Sequence, residues 1–380
     1  YMTADNTYGG GTYVANPGSL LLGNNTAAGS VVGVITNNGT LGIYRNDAYT
    51  FSNNVAGAGS VNLYEPGGNR LLVGGNTIAA GTLNGYRGTL TNTTVAVSGN
   101  FNFGNGGGSG PVIEANAAVT VGGSLLTLQN SYNYQGLTIK GGSLTVAGNI
   151  DDAWDTAYTI AQTGGTVRVN AMYSSGYLGG WGRNNSYSLN GGTLVMGAGG
   201  IVQNYYGLYA YLGGGTLSAA ANWGLSANTV LTGTGGNLTV VPDGYTVSFN
   251  WAVSGAGGLV LNGTGTLAMN AASTYAGATT VNAGTLVLTG PNGGISTVST
   301  NTLTVNAGGT VTCNSDNVFG HTAEANIPNI AIVGGVLNPD NYNNVKTITM
   351  TGGTINLYNS GANDGLYFNW GAKSVTTLAS

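Results

Sequence analysis

The segment Gly142–Val146, with the sequence GSLTV, is one example of a short phrase that recurs along the chain. In most copies glycine is followed by Thr or Ser, and then by an alternating apolar run. Successive copies are mostly about 18 to 27 residues apart, which is the spacing expected of the coils of a solenoid. The copies are Gly123–Leu125, Gly142–Val146, Gly165–Val167, Gly192–Leu194, Gly215–Leu217, Gly236–Leu238, Gly265–Leu267, Gly284–Leu286, Gly309–Val311, Gly335–Leu337 and Gly353–Ile355.

The apolar residues within each phrase alternate with polar ones, as do Leu144 and Val146 around Thr145. When the pattern repeats every second residue, alternate side chains lie on one face of a β-strand. No long stretch of the chain shows the spacing of an amphipathic helix. Frequent Asn-Gly pairs favour hairpins, so an antiparallel sandwich stays open as an alternative. A coil of 20 to 25 residues nevertheless fits two or three short strands of a parallel β-helix better, and the chain is predicted to be all-β with this solenoid fold.

The composition of the chain excludes several classes of protein. Only 5% of the 380 residues are charged and the net charge is −4, while 42% are hydrophobic, which argues against a disordered chain. Eight basic residues are too few to neutralise a run of phosphates, so no nucleic-acid partner is expected. No window contains the roughly 18 consecutive apolar residues of a transmembrane helix, so no membrane insertion of this segment is expected.

The segment Ser254–Leu286 carries a Gly-rich lead, a Gly-x-Gly-Thr-Leu phrase, a Thr-Tyr-x-Gly-x-Thr motif and a closing Gly-Thr-Leu. Residues 6–20 repeat its second half, from Asn6-Thr7-Tyr8 to Ser19-Leu20. Both segments resemble the autotransporter-associated β-strand repeat of bacterial passenger proteins. The resemblance implies a right-handed parallel β-helix that is exported to the cell surface or the extracellular space. It also implies a stalk, an adhesin or a fibre, and it implies no catalytic residue.

The whole of residues 1–380 is predicted to form a single continuous β-helix, either a section of a longer rod or fibre or a repeating unit in one. Neither end shows an amphipathic capping helix or a charged terminal coil, so an open strand edge is expected at each end. Copies of the chain are therefore expected to associate with themselves, end to end or laterally. No enzyme activity and no cofactor are expected.

One acidic cluster, Asp151, Asp152 and Asp155, is the candidate metal site, with Arg168 about one coil later. A solvated turn is the favoured interpretation, because Ca²⁺ prefers six or more oxygen ligands. The same carboxylates are the candidate groups for the alternative function, a β-helix that binds or cleaves polysaccharides.

Aromatic residues form a second candidate site, either for glycans or for packing. Tyr205, Tyr209 and Tyr211 are expected on one strand face, with Trp181 in the preceding coil. The single histidine, His321, is expected in a surface loop, and the single cysteine, Cys313, is expected to point into the core because it continues the inward alternation after Val311.

Overall fold

The structure of the protein is a computed structural model. It describes residues 1–64, 71–85, 87–104, 110–127, 134–152, 156–175, 184–290, 294–295, 301–321, 327–357, 365–368 and 374–377. Throughout these ranges the extended regular elements are β-strands, as the alternation of apolar residues predicts. The described part of the chain contains no helix with the length and hydropathy needed to cross a membrane.

The chain divides into two compact units. Unit 1 comprises residues 1–188 and 203–208, and unit 2 comprises residues 189–202 and 209–380. Each unit is described separately below, and the single continuous β-helix over residues 1–380 stays a prediction.

Unit 1 contains β1 (Thr12–Val14), β2 (Ser19–Thr26), β3 (Ile35–Asn37), β4 (Thr40–Arg45), β5 (Tyr49–Phe51), β6 (Val55–Ala56), β7 (Ser60–Tyr64), β8 (Leu71–Gly74), β9 (Thr77–Ala80), β10 (Thr82–Gly85), β11 (Thr89–Thr91), β12 (Thr94–Val97), β13 (Phe101–Phe103), β14 (Val112–Ile113), β15 (Ala118–Val121), β16 (Leu125–Thr127), β17 (Tyr134–Ile139), β18 (Ser143–Asp151) and β19 (Ala157–Tyr173). Strand β20 (Asn185–Val202) begins in unit 1 and continues in unit 2.

Unit 2 contains β21 (Leu208–Leu212), which begins at the boundary residue, β22 (Thr216–Ala219), β23 (Trp223–Ser226), β24 (Asn228–Leu231), β25 (Leu238–Val241), β26 (Thr246–Phe249), β27 (Val253–Gly255), β28 (Leu259–Leu261), β29 (Thr266–Met269), β30 (Thr279–Val281), β31 (Gly284–Leu288), β32 (Thr302–Asn306), β33 (Gly309–Cys313), β34 (Asn329–Val333), β35 (Val336–Pro339), β36 (Tyr342–Asn344), β37 (Thr347–Met350), β38 (Thr354–Ile355), β39 (Gly365–Tyr367) and β40 (Ser374–Thr377).

Within each unit, a strand pairs with the equivalent strand one coil later. In unit 2, Thr246 of β26 pairs with Thr266, which pairs with Thr285, which pairs with Thr310. The pairings between described strands are parallel, apart from one isolated antiparallel bridge between Asn306 and Gly334. The predicted parallel β-solenoid is therefore confirmed, and the antiparallel sandwich is wrong.

The core is formed by the inward face of each recurring phrase. Leu267, Leu286, Val311 and Leu337 are neighbours in successive coils, and each is completely buried. The residues that alternate with them along each strand, such as Thr266 and Thr285, face outward and stay half-exposed, as in strands with one buried face. Stacking equivalent apolar residues removes their surface from water in every coil. This burial stabilises the fold by about 25 cal/mol for each Å² of apolar surface that is covered.

Glycine opens the phrase because neighbouring coils approach closely at this corner. Gly142 and Gly165 have φ values of 66° and 67°, in the left-handed region that favours glycine. A Cβ atom at Gly165 would lie 2.6 Å from the carbonyl carbon of Gly141 in the preceding coil. A larger residue at this position would therefore be strained and would push the two coils apart.

Asparagine side chains form ladders along the direction of stacking. In unit 1 the Asn102 amide donates to Asn84 at 2.8 Å, and Asn84 donates to Asn62 at 2.6 Å. In unit 2, Asn306 donates to Asn282 at 2.7 Å, and Asn282 donates to Asn262 at 2.8 Å. Uncharged amides satisfy one another at this repeat distance, whereas like charges would repel, so the ladders account for the low charge content.

Candidate functional site

The carboxyl groups of Asp151 and Asp152 converge on one backbone amide of the next coil. Asp151 is the last residue of β18, and Asp152 follows it directly. The amide nitrogen of Ser175 lies 2.8 Å from Oδ1 of Asp152 and 3.1 Å from Oδ1 of Asp151. The amide of Asp152 also donates to Oδ1 of Asp151 at 2.9 Å. The two adjacent carboxylates therefore join two successive coils.

Asp152 is the more deeply buried of the two, with 7% of its surface exposed. Its Oδ2 accepts a hydrogen bond of 3.0 Å from the buried Asn185 amide, whose own Oδ1 accepts one of 2.8 Å from the backbone of Tyr158. The expectation of a solvated turn is wrong for Asp152, because the carboxylate is covered and hydrogen-bonded inside unit 1. Sequence reasoning missed Ser175, Asn185 and Tyr158, since no motif marks them.

This environment favours the protonated form of Asp151. Burial is the largest cause that raises the pKa of this carboxyl, to about 6, and a hydrogen bond with the Asp152 side chain acts in the same direction. The hydrogen bonds from Ser175 act in the opposite direction and are outweighed. Asp151 therefore retains its proton to a higher pH than an ordinary aspartate does.

The strand register does not align Arg168 with the carboxylates. The strand register places Arg168 beside Thr145, whereas Ile150, the residue before Asp151, is beside Met172. Asp155 lies outside the described residues, and the described part of the chain holds no group of three or more side chains able to bind a metal ion. The metal site at the acidic cluster stays a prediction.

Two of the predicted aromatic residues form a stacked pair on the outer face of β21. Tyr209 and Tyr211 are half-buried, and their ring centroids lie 5.8 Å apart with an angle of 13° between the ring planes. Tyr205 is not on this strand but in the bend before it, with 80% of its surface exposed, and Trp181 lies outside the described residues. The rule of alternation fails at Tyr205 because the strand begins only at Leu208.

The positions of the single cysteine and the single histidine agree with their predicted surroundings. Cys313 ends β33 and is completely buried, and burial raises the pKa of its thiol well above the usual range. His321 is exposed outside any strand.

The two copies of the Thr-Tyr-x-Gly-x-Thr motif have the same internal hydrogen bond. The hydroxyl groups of Tyr275 and Thr279 lie 2.5 Å apart, and those of Tyr8 and Thr12 lie 2.7 Å apart. This bond holds the tyrosine at the turn that leads into β30 in one copy and into β1 in the other. The spacing that the two copies of the motif share is therefore explained by a local structure.

Comparison with known families identifies the second copy. Residues 259–288 match the passenger-associated-transport-repeat family model. This segment of the passenger-associated-transport repeat extends from β28 to the end of β31 and includes Tyr275 and Thr279. The predicted resemblance is thereby confirmed for this segment. No curated protein and no solved structure matches the chain.

Proposed function

We propose that the protein is a structural passenger exported from a bacterium, which acts outside the cell as a stalk, an adhesin or a filament subunit. The passenger-associated-transport repeat within a parallel β-solenoid is the observation that supports this proposal most directly. A passenger repeat and a parallel solenoid fit the passenger segment of an exported protein, and they support a location on the cell surface or in the extracellular space.

The arrangement of the side chains supports a mechanical role. Backbone hydrogen bonds join each coil to the next, and the apolar interior is continuous from Leu267 to Leu337 in unit 2. The Asp151 and Asp152 carboxylates are engaged in hydrogen bonds with their own chain. Catalysis and a cofactor therefore have no part in the proposal.

The proposed export can be tested on the bacterium that produces the protein. Antibodies against the purified chain are expected to label intact cells in electron micrographs, and added protease is expected to remove the label. Labelling that needs permeabilised cells would contradict the proposal. The purified protein is also expected to release no new reducing ends from a panel of polysaccharides.

A glycan-binding function is the second candidate, because the parallel rings of Tyr209 and Tyr211 offer an aromatic surface for sugar rings. Replacing both tyrosines with alanine is expected to weaken retention by a binding polysaccharide about tenfold in affinity electrophoresis. Tyr245→Ala is the matched control, since Tyr245 is an exposed aromatic residue elsewhere in unit 2. Equal retention of all variants, or no retention of the unaltered protein, would contradict this function.

A further inference from the structure

Two tyrosine rings on successive coils of unit 2 lie in direct contact. The rings of Tyr342 and Tyr367 are stacked, with their centroids 4.2 Å apart and an angle of 30° between the ring planes. In the two other tyrosine pairs formed by described residues, the centroids lie 5.6 and 5.8 Å apart. Carbon atoms of two rings stacked at the shorter distance are close to van der Waals contact.

The register between β36 and β39 brings these rings together. Tyr342 is the first residue of β36 and pairs with Gly365, the first residue of β39. Tyr367 lies two residues after Gly365, so its side chain is on the same face of the strand. Because glycine has no side chain, the position next to Tyr342 is free, and the ring of Tyr367 reaches across it.

Hydrogen bonds to neighbouring coils fix the backbone of both tyrosines. The amide of Tyr342 donates to Oδ1 of Asp316 at 3.1 Å, and its carbonyl accepts a bond of 2.7 Å from the amide of Asn317. The carbonyl of Tyr367 accepts a bond of 2.9 Å from the amide of Val345. The strands therefore hold the two rings in position before any reaction between them.

Both rings stay accessible from solvent. Tyr342 and Tyr367 are half-buried, so an oxidant at the surface reaches their edges and a proton released by either hydroxyl passes to water. The single thiol, Cys313, is completely buried and is therefore shielded from the same oxidant. The pair combines contact between two phenol rings with access for a reagent.

We propose that Tyr342 and Tyr367 form a dityrosine cross-link when the protein meets a one-electron oxidant, such as a peroxidase supplied with hydrogen peroxide. The cross-link joins β36 to β39 and makes the contact between two successive coils covalent. A covalent bridge of this kind restricts the unfolded chain and so favours the folded state. The modification goes beyond the proposed structural function and does not depend on export.

The oxidant removes one electron from each phenol, and each hydroxyl releases its proton to water. The two phenoxyl radicals then form one carbon–carbon bond between the ring positions next to the hydroxyl groups. The hydrogen atom on each bonded carbon moves to the neighbouring oxygen as a proton, which restores both hydroxyl groups and both aromatic rings. In total the protein loses two electrons and two protons, and one molecule of hydrogen peroxide is reduced to two molecules of water.

Phenylalanine variants separate this reaction from packing. Tyr342→Phe and Tyr367→Phe each keep an aromatic ring for stacking but lack the hydroxyl from which a phenoxyl radical forms. Tyr245→Phe is the matched control, because it removes a phenol from an exposed tyrosine elsewhere in unit 2. All three variants are expected to keep the circular dichroism spectrum of the unaltered protein.

Trypsin digestion locates the cross-link. Lys346 lies between the two tyrosines, so complete digestion separates residues 184–346 from residues 347–373 unless a bond joins them. Each protein is treated with peroxidase and hydrogen peroxide at low concentration, and the monomer is isolated by size-exclusion chromatography under denaturing conditions. Mass spectrometry and dityrosine fluorescence of the digested monomer then identify the joined peptides.

The unaltered protein and Tyr245→Phe are expected to yield the joined, fluorescent peptides, with fragment masses that place the bond at Tyr342 and Tyr367. Both Tyr342→Phe and Tyr367→Phe are expected to lose this product. Absence of the product from the unaltered monomer would overturn the proposal, as would its retention in either of these two variants or a bond located at other tyrosines.

Discussion

Replacing Tyr275 with alanine is expected to lower the free energy of unfolding of unit 2 by about 3–5 kcal/mol. The ring is completely buried, and its hydroxyl is hydrogen-bonded to the buried Thr279 hydroxyl. Truncation therefore leaves a cavity between successive coils and removes the partner of a buried polar group. Urea denaturation followed by circular dichroism measures the loss.

The first copy of the motif provides the control for this prediction. Tyr8→Ala removes the same side chain and the same type of hydrogen bond, but 40% of the surface of Tyr8 is exposed. Its cost is expected to stay below about 1 kcal/mol, as for most surface substitutions. Equal losses for Tyr8→Ala and Tyr275→Ala would show that burial by the preceding coil does not determine the contribution of the motif.

Replacing Asp151 with asparagine is expected to stabilise unit 1 at neutral pH by about 1–2 kcal/mol. The pKa of this carboxyl is about 6 in the folded chain and 3.8 in the reference state, so the folded chain binds the proton more tightly. The stability that the proton contributes is present below about pH 4 and is lost as the pH rises through about 6. The expected gain of about 1–2 kcal/mol is smaller than the full pKa difference would give, because Asp151 is partly exposed and solvent screens its charge.

Thermal unfolding between about pH 4 and pH 7 tests this prediction. The unaltered protein is expected to lose stability across this interval, and Asp151→Asn is expected to show a flatter profile because the uncharged amide does not titrate there. Glu114→Gln is the control, since Glu114 forms an ion pair with Lys140 at 3.4 Å in which both side chains are more than one-third exposed. Profiles of equal slope for the unaltered protein and Asp151→Asn would contradict the assignment.

The sequence predicted the fold because each coil repeats the same local pattern. One coil is specified by glycine at the corner, Thr facing outward and Leu or Val facing inward, as in residues 265–267. The register of neighbouring coils follows because these positions match from one coil to the next. The passenger repeat was predicted from a family resemblance, which rested on two copies of one motif.

The surroundings of the acidic pair were not predictable in the same way. Ser175 and Asn185 reach Asp152 from 23 and 33 residues away, because coils differ in length between their strands. A repeated phrase fixes the register of the strands but not the contacts of the loops that join them. The prediction for Tyr205 was wrong for a related reason. It extended the alternation of strand β21 across the bend that precedes this strand.

The asparagine ladders have a direction. In each case named above, the amide group of the later coil donates and the oxygen of the earlier coil accepts, as from Asn282 to Asn262. The side-chain dipoles of a ladder therefore point the same way and add, which is unlike the alternating backbone dipoles of a sheet. The NH₂ end of each ladder therefore points toward the earlier coils and the oxygen end toward the later coils, so a ladder has a chemical polarity along the direction of stacking.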